Sequence, residues 1–312
     1  MKLLTEVNIA KAATNISHKD SIMLLGSCFS QNIGEKLSIG GFRTLINPFG
    51  TMYNPFSIAE SLDYIMFRKD FNSNDTLQNG DVWKLIPCHG EVFGYSQTEV
   101  LEKAKAKQAE ANSFLNNKPV IVLTLGTAFV YTLIKKQRIM ANCHKINAKE
   151  ISKGMMSVTE ITDVLSVVLE RLKEMYECRI IITVSPVRHW REGFRDNLLS
   201  KSTLHLAVAE LEKKGLAEYF PAYEVVFDQL RDYRYYSDDL LHPNNQAIEV
   251  IWNKFSAAYF DETTINLCRK CEKLHSMRNH RPLYPQSVEW KQHIERTLAL
   301  EKEIENDFNK PK

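Results

Sequence analysis

Short runs of apolar residues alternate along this chain with longer stretches in which apolar residues recur every three or four positions. Residues 21–25 (SIMLL) are the first run, stopped by Gly26, and Phe29, Ile33, Leu37 and Ile39 follow at near-helical spacing, so the pattern predicts strand, tight turn and helix. A second short strand over 44–47 leads into NPFGTMYNPF, whose prolines and glycine mark an ordered loop before a helix over 57–67. Residues 83–86 and 91–95 read as paired strands around PCHG. A charged amphipathic helix over 99–115 feeds 119–125 (PVIVLTL), apolar on both faces as a central parallel strand is. A hairpin over 129–133 and 138–141 follows. Ser157 caps a helix over 158–176 that carries Ile161, Val164, Leu165, Val168 and Leu172 on one face. It delivers the chain to a second two-face-buried strand, 179–184 (RIIITV), and the turn Ser185-Pro186. Helix 196–214, a short strand at Val225 and Val226, and a helix over 243–260 opened by Pro243 complete the pattern.

Alternating βα units with short apolar strands predict a three-layer α/β/α fold, doubly wound around a mostly parallel sheet, over residues 21–260. Residues 1–20 form an N-terminal arm. Beyond 261 the chain is highly charged and loses its β signals, which predicts a helical C-terminal extension over 261–312, broken at Arg281-Pro282 and Tyr284-Pro285 before a last helix near 288–306. In doubly wound folds ligands bind beyond the carboxyl ends of strands, so the turns after residues 25, 47, 125 and 184 and the loop 237–244 are where chemistry is expected.

Composition narrows the classes. Apolar types make up 44% and charged types 25% of 312 residues, with only 12 Gly and 10 Pro, which fits a globular protein and excludes a disordered or fibrous one. A net charge of +2 gives no reason to expect nucleic acid as partner. No window approaches 18 uncharged apolar residues, so no membrane span is expected. Glu6, Asn8 and Lys11 interrupt any export signal, and a cytoplasmic location is the expectation. The six cysteines, Cys28, Cys88, Cys143, Cys178, Cys268 and Cys271, are dilute and expected to be reduced thiols. The C-terminal helices are the surface on which a homo-oligomer is expected to form.

Two segments suggest catalysis. In Gly26-Ser27-Cys28-Phe29-Ser30, between a strand and a helix, the first-turn N–H groups point outward and favour negative charge. A Cys28 thiolate there is expected to be stabilised and nucleophilic. The bland alternative is that Ser27 caps the helix and Cys28 is a small core residue. In Ser237-Asp238-Asp239-Leu240-Leu241-His242-Pro243-Asn244, Asp239 stands three residues before His242, a spacing that lets the carboxylate orient the imidazole as a base. The alternative is a helix cap followed by a surface histidine. Cys268-x-x-Cys271 with His275 and His280 has zinc-ligand types, but its spacing is that of a helix stripe, and no metal is expected.

LLGSCFS, the NPFGTMYNP loop, LTLGTAFVY, SPVRHW and DDLLHPN together resemble the GSCFA family, placed within the SGNH/GDSL hydrolase superfamily. The resemblance covers about residues 20–260, with weaker similarity at NHRPLYP, and implies an SGNH-like fold. It puts the nucleophile position on Cys28, the preceding Asp position on Ser27, and the Asp-x-x-His block on Asp239 and His242. The oxyanion glycine falls on Gly50. The Gly-x-Asn-Asp block falls on Gly126-Thr127, where the asparagine is missing, so Asn47, Thr127 or His89 would supply the lost donor. Arg188 and His189 follow a strand end and suit an anionic or hydroxyl-rich substrate. His89 reads more readily as a turn or packing residue, and Trp190 as a sugar-stacking face or, more often, a buried lid. The implied activity is that of an acyl-ester enzyme, an esterase or O-acyl/acetyltransferase acting on a small-molecule ester, a carbohydrate or a glycan precursor, without cofactor. The missing asparagine motivates a different expectation, an inactive SGNH-fold module that binds a glycan or a partner.

Overall fold

Strand β1 (Ser21–Gly26) is buried at every position, and so is β6 (Val120–Leu125), because both lie inside a parallel sheet covered on two faces. The computed structural model describes residues 5–189 and 193–309. The five-stranded sheet has the order β11-β10-β6-β1-β2, with β2 (Arg43–Ile46), β10 (Arg179–Val184) and β11 (Glu218–Tyr219). All its pairs are parallel, β1 matching Gly26 with Thr124 of β6 and β6 matching Leu125 with Val184 of β10.

Alternate residues of each strand enter opposite layers, as a period of two requires. Met23, Leu25, Ile121, Leu123, Ile180 and Ile182 pack with helices α2 (Pro55–Phe67), α3 (Gln97–Leu115), α4 (Val158–Tyr176) and α5 (Phe194–Lys213). Ile22, Leu24, Val120, Val122 and Ile181 pack with α1 (Cys28–Ile39) and α7 (Asn245–Tyr259). The three-layer α/β fold read from the sequence is therefore the one observed. The chain leaves β1 for β2 on one flank and later returns to β6 on the other, so the sheet's topological switch lies between β1 and β6, where such folds place their ligand crevice.

Several local expectations need correction. Val225 and Val226 form no strand: they sit in a π-helical turn (Val225–Gln229) after the short α6 (Ala222–Glu224), both fully buried beside Ala222 and Leu230. A pair of buried valines does not by itself distinguish strand from helix, and the sheet edge belongs to β11 instead. Residues 91–95 contribute only β5 (Phe93–Gly94). It pairs with β4 (Val82–Leu85), whose other neighbour, β3 (Thr76–Asn79), the sequence pattern did not signal. The hairpin of β7 (Phe129–Leu133) and β8 (Arg138–Met140) gains a third strand, β9 (Ile151–Met155). Pro243 precedes α7 rather than opening it, because Asn244 is the cap, its Oδ1 accepting from Ala247 N–H at 3.1 Å. After Phe260, helices α8 (Glu262–Asn279) and α9 (Val288–Asn309) pack on one another. No helix among the described residues is long and apolar enough to cross a membrane.

Candidate active site

Gly26 closes β1 with φ +141°, and a Cβ built there would lie 2.2 Å from the Thr124 carbonyl oxygen. Only glycine lets the two strands approach this closely before the chain turns. The turn is tied by Gly26 N–H to Asn47 Oδ1 (2.9 Å) and Ser27 N–H to the Thr124 carbonyl (3.2 Å). Ser27 is buried and caps α1, its Oγ accepting from Phe29 N–H at 3.3 Å. Cys28 is thus the first helical residue, and its side chain is half-buried. Here the structure corrects the expected thiolate. Burial pushes the Cys28 thiol above its ordinary value, outweighing the first-turn amides and the charge of Lys201, while Asp239 pushes in the same direction as burial.

The second segment is a loop stapled by Ser237 N–H to His242 O (2.8 Å), with Leu240 in a left-handed conformation (φ +58°). Asp239 Oδ1 accepts from the N–H groups of Leu241 (2.9 Å) and His242 (3.0 Å), and Oδ2 accepts from His242 Nδ1 at 2.6 Å. These bonds hold the Asp239 carboxyl down at about 2. The pair is half-exposed at the protein surface.

Cys28 and His242 line one cavity of about 310 Å³ together with Tyr53, Thr127, Arg188 and His189. Its remaining wall is largely apolar, with Phe129, Tyr131, Met140 and Val187. Cys28 also borders a groove of about 520 Å³ whose other walls are mostly polar: Gln31, Asn32, Asn47, Thr51, Glu91 and Lys107. The thiol therefore stands where two depressions meet, one of mixed lining with an apolar wall and one mostly polar. A further cavity of about 480 Å³, between Ser17, His18 and the C-terminal helices, contains neither Cys28 nor His242.

The remaining candidates divide by geometry. Gly50 (φ +82°) donates its N–H to Asn47 O at 2.7 Å, so that donor is engaged within its own turn, and a Cβ there would sit 2.5 Å from His89 Cβ. His89 backs this turn, its N–H on Phe49 O (2.9 Å) and its ring beside Glu91 (3.6 Å). Asn47 is buried, and its Nδ2 has no acceptor. The N–H groups of Gly126 and Thr127 both point to Tyr53 O (2.7 and 2.9 Å), and the Thr127 hydroxyl meets Ser200 Oγ at 3.0 Å. Arg188 lies over the Phe227 ring at 4.6 Å. His189 donates its N–H to Asn197 Oδ1 (2.9 Å), with its ring edge-on to Tyr53. Trp190 lies outside the described residues.

Sequence reasoning missed Lys201. It is 1% exposed, and Nζ donates to Gly126 O (2.6 Å) and Ser185 O (2.7 Å), the carbonyls following β6 and β10. A signal existed: Asn197, Ser200 and Lys201 share the helical face of Leu204, Val208 and Leu211, polar residues where the period demands core. Cys268 and Cys271 are buried against the Gly40-Gly41 turn. No group of three or more metal-ligating side chains gathers among the described residues.

Comparison with known proteins gives a family and a distant fold likeness. Curated proteins yield no match. Among solved structures, a crystal structure of a carbohydrate esterase family 3 from Talaromyces cellulolyticus is similar at 11% identity and a TM-score of 0.36, over 80% of this chain and 98% of that one, too distant to assign chemistry. The sequence model of the GSCFA family matches residues 21–255, the span that holds the whole sheet, the Cys28 turn and the Asp239–His242 loop; the chain belongs to the GSCFA family.

Proposed function

We propose that this protein is an acyl-ester enzyme of the SGNH type in which Cys28 attacks, His242 moves the proton and Asp239 orients the imidazole. The observation that carries this reading is that Cys28 at the start of α1 and His242, bound through Nδ1 to Asp239, line one cavity. His242 Nε2 takes the thiol proton as Sγ adds to the ester carbonyl. The tetrahedral oxyanion collapses, the C–O bond breaks, and the leaving alkoxide takes the proton from His242. Water or an alcohol, deprotonated in turn by His242, then attacks the acyl thioester, and the expelled thiolate recovers the proton. Oxyanion donors are the Cys28 N–H at the start of α1, since the N–H groups of Phe29 and Ser30 are already taken by Ser27, and Asn47 Nδ2, which has no acceptor among the described residues. The raised thiol fits a nucleophile that is ionised only as it reacts, its proposed base lining the same cavity.

The two depressions beside Cys28 suit the two halves of an ester. A short acyl group fits the apolar wall of the cavity at Phe129, Met140 and Val187, and a hydroxyl-rich alcohol, such as a carbohydrate or glycan precursor, fits the polar groove. Because a thioester passes its acyl group readily to a second alcohol, O-acyl transfer is the finer reading and hydrolysis the default fate when water arrives first. The engaged hydroxyl and N–H of Thr127, where an asparagine would stand, favour the competing reading of an inactive binding module. Incubation with short-chain activated esters and acetylated sugars, followed by mass spectrometry of the Cys28 peptide, separates the two. An acyl adduct on Cys28 that disappears as product forms is expected, and neither adduct nor turnover over such a panel would leave the binding module.

A further inference from the structure

The two small antiparallel sheets carry a concentrated positive charge. Residues 134–153 hold five lysines and one arginine against a single glutamate, in a chain whose net charge is only +2. Arg138 is paired with Glu60 and Asp75. Four lysines line one depression of about 260 Å³ between the sheets: Lys84 of β4, Lys135 and Lys136 in the short helical turn after β7, and Lys145 in the loop after β8. Glu150 is the one carboxylate in that lining, and it pairs with Lys135 at 3.0 Å.

The ammonium groups are oriented by neutral oxygens. Lys84 Nζ donates to the His144 carbonyl at 3.4 Å, and Lys136 Nζ donates to the carbonyls of Asn74 (2.8 Å) and Thr76 (3.0 Å). Such partners fix a charge in place without cancelling it, and among the described residues none of Lys84, Lys136 and Lys145 has an ion-pair partner. Asn79 Nδ2 also donates to His144 O at 3.0 Å, so β3 and β4 together hold a turn in which His144 and Lys145 are both left-handed (φ +51° and +59°). His144 lines the same depression with its side chain 1% exposed. The Leu85 and Ile86 backbone lies near enough to act on its ring, but neither ring nitrogen completes a hydrogen bond among the described residues. Buried polar atoms left unsatisfied are rare and call for an explanation.

We propose that this depression is a binding site for a phosphate-class anion, with Lys84, Lys136 and Lys145 supplying its counter-charge. Its size suits a small anion such as phosphate, pyrophosphate or a sugar phosphate. A polyanion would also engage Lys149 and Lys153 of the same segment, which lie outside the lining. The depression adjoins the Cys28 cavity: residues 140–143 line that cavity and residues 144–147 line this one. Along β7, Tyr131 belongs to the first and Leu133 to the second, about 7 Å apart at the rise of a strand. Both rest on the apolar cluster of Ile86, Leu133 and Met140. The phosphate is therefore either a free anion or a group on a larger molecule that extends toward Cys28. Neither case depends on Cys28 being a nucleophile.

The test titrates the full chain with inorganic phosphate, pyrophosphate and glucose 6-phosphate by calorimetry, at low and high salt. Saturable binding of pyrophosphate that weakens with salt is expected. A unit charge in contact with an anion is worth roughly a factor of five in water. The double variant Lys136→Gln/Lys145→Gln is therefore expected to bind at least about tenfold more weakly. Glu150→Gln, which removes the opposing charge, is expected to bind a few-fold more tightly, a gain that a merely misfolded variant would not show. Lys149→Gln keeps the lining intact and is expected to bind as the wild type does. Amide NMR shifts on adding pyrophosphate are expected to centre on residues 144–147. The probes also separate the sources: glucose 6-phosphate binding tighter than phosphate, through the same lysines, assigns a phosphorylated molecule, and equal affinities assign the free anion. The proposal is overturned by the absence of saturable binding for all three probes, by a double variant that binds like the wild type, or by shifts centred on Cys28. A short oligonucleotide that binds more tightly than pyrophosphate and is weakened equally by Lys149→Gln would overturn it in favour of a polyanion surface. Every readout is binding, so a chain without ester turnover would remove the proposed function and leave this site standing.

Discussion

Asp239 holds His242 at two points, Oδ2 on the ring Nδ1 at 2.6 Å and Oδ1 on the backbone N–H at 3.0 Å. One carboxylate thus fixes both where the histidine backbone turns and which ring nitrogen carries the proton, leaving Nε2 for the proton exchange with the thiol that we propose.

Replacing Asp239 by Asn removes the charge but keeps an oxygen for the backbone N–H groups. The loop is expected to stay folded while the imidazole loses its fixed tautomer, and ester turnover is expected to fall on the order of 10²-fold or more, the usual contribution of a positioned base. With the carboxyl held at about 2, any acid limb of the wild-type pH profile above pH 4 belongs to a group other than Asp239. Steady-state kinetics from pH 4 to 9 check both points, and an Asp239→Asn enzyme with unchanged kcat/KM would sink the assigned role.

Cys28 and Ser27 adjoin, but Ser27 caps α1 while Cys28 lines the cavity. Cys28→Ala is expected to abolish turnover. Ser27→Ala is expected to lose the bond from Ser27 Oγ to Phe29 N–H, costing about 0.5–2 kcal/mol of stability with activity largely kept. Cys28→Ser keeps the geometry but is expected to react slowly, because a hydroxyl ionises far less readily than a thiol. His242→Ala should match Cys28→Ala within a small factor, since members of one catalytic unit are not additive. Full activity in Cys28→Ala with a dead Ser27→Ala moves the nucleophile to Ser27.

The central sheet was legible because β1, β6 and β10 are runs of apolar residues buried on both faces, a signal that survives without context. The small antiparallel sheets were not. β3 and β9 are short and partly exposed, so neither the period-2 alternation nor a continuous apolar run marks them. At the candidate site, the Cys28 turn and the Asp239–His242 pair were legible as local geometry: a glycine before a helix cap, and an Asp three residues before a His. The charge state of Cys28 was not, since it depends on how deeply the fold buries the thiol. Nor was the burial of Lys201, whose partners are backbone carbonyls 75 and 16 residues away.

Gly26 and Gly80 both have positive φ, but only one is crowded. At Gly26 a Cβ would meet the Thr124 carbonyl oxygen at 2.2 Å, whereas at Gly80 (φ +62°) nothing lies within 4 Å. Gly26→Ala is therefore expected to separate β1 from β6 and lose on the order of 3 kcal/mol or more, while Gly80→Ala is expected to lose only the left-handed penalty, about 1–2 kcal/mol. Urea unfolding of both variants compares them, and equal losses would contradict the close approach of the strands.

His144 gives the fold a pH dependence whose sign follows from its burial. The side chain is 1% exposed, and its pKa is pushed down to about 4, first by desolvation and then by Lys84 and His89, with backbone at Leu85 and Ile86 offsetting part of this. In the unfolded chain a histidine titrates near its ordinary value of 6.5. Between 6.5 and 4 the unfolded state therefore binds a proton that the native state does not, so stability is full above about 6.5 and is lost as pH falls toward 4. For one such group the loss between pH 7 and pH 4.5 is about 2 kcal/mol. His18 and His205, also lowered chiefly by burial, act in the same direction. Glu60, raised by burial, acts in the opposite one. A difference between variants isolates His144: in His144→Asn, urea midpoints at pH 7 and 4.5 are expected to lie closer together than in the wild type, with the same m-value. An unchanged separation would mean that the buried imidazole is already protonated in the native state at pH 4.5.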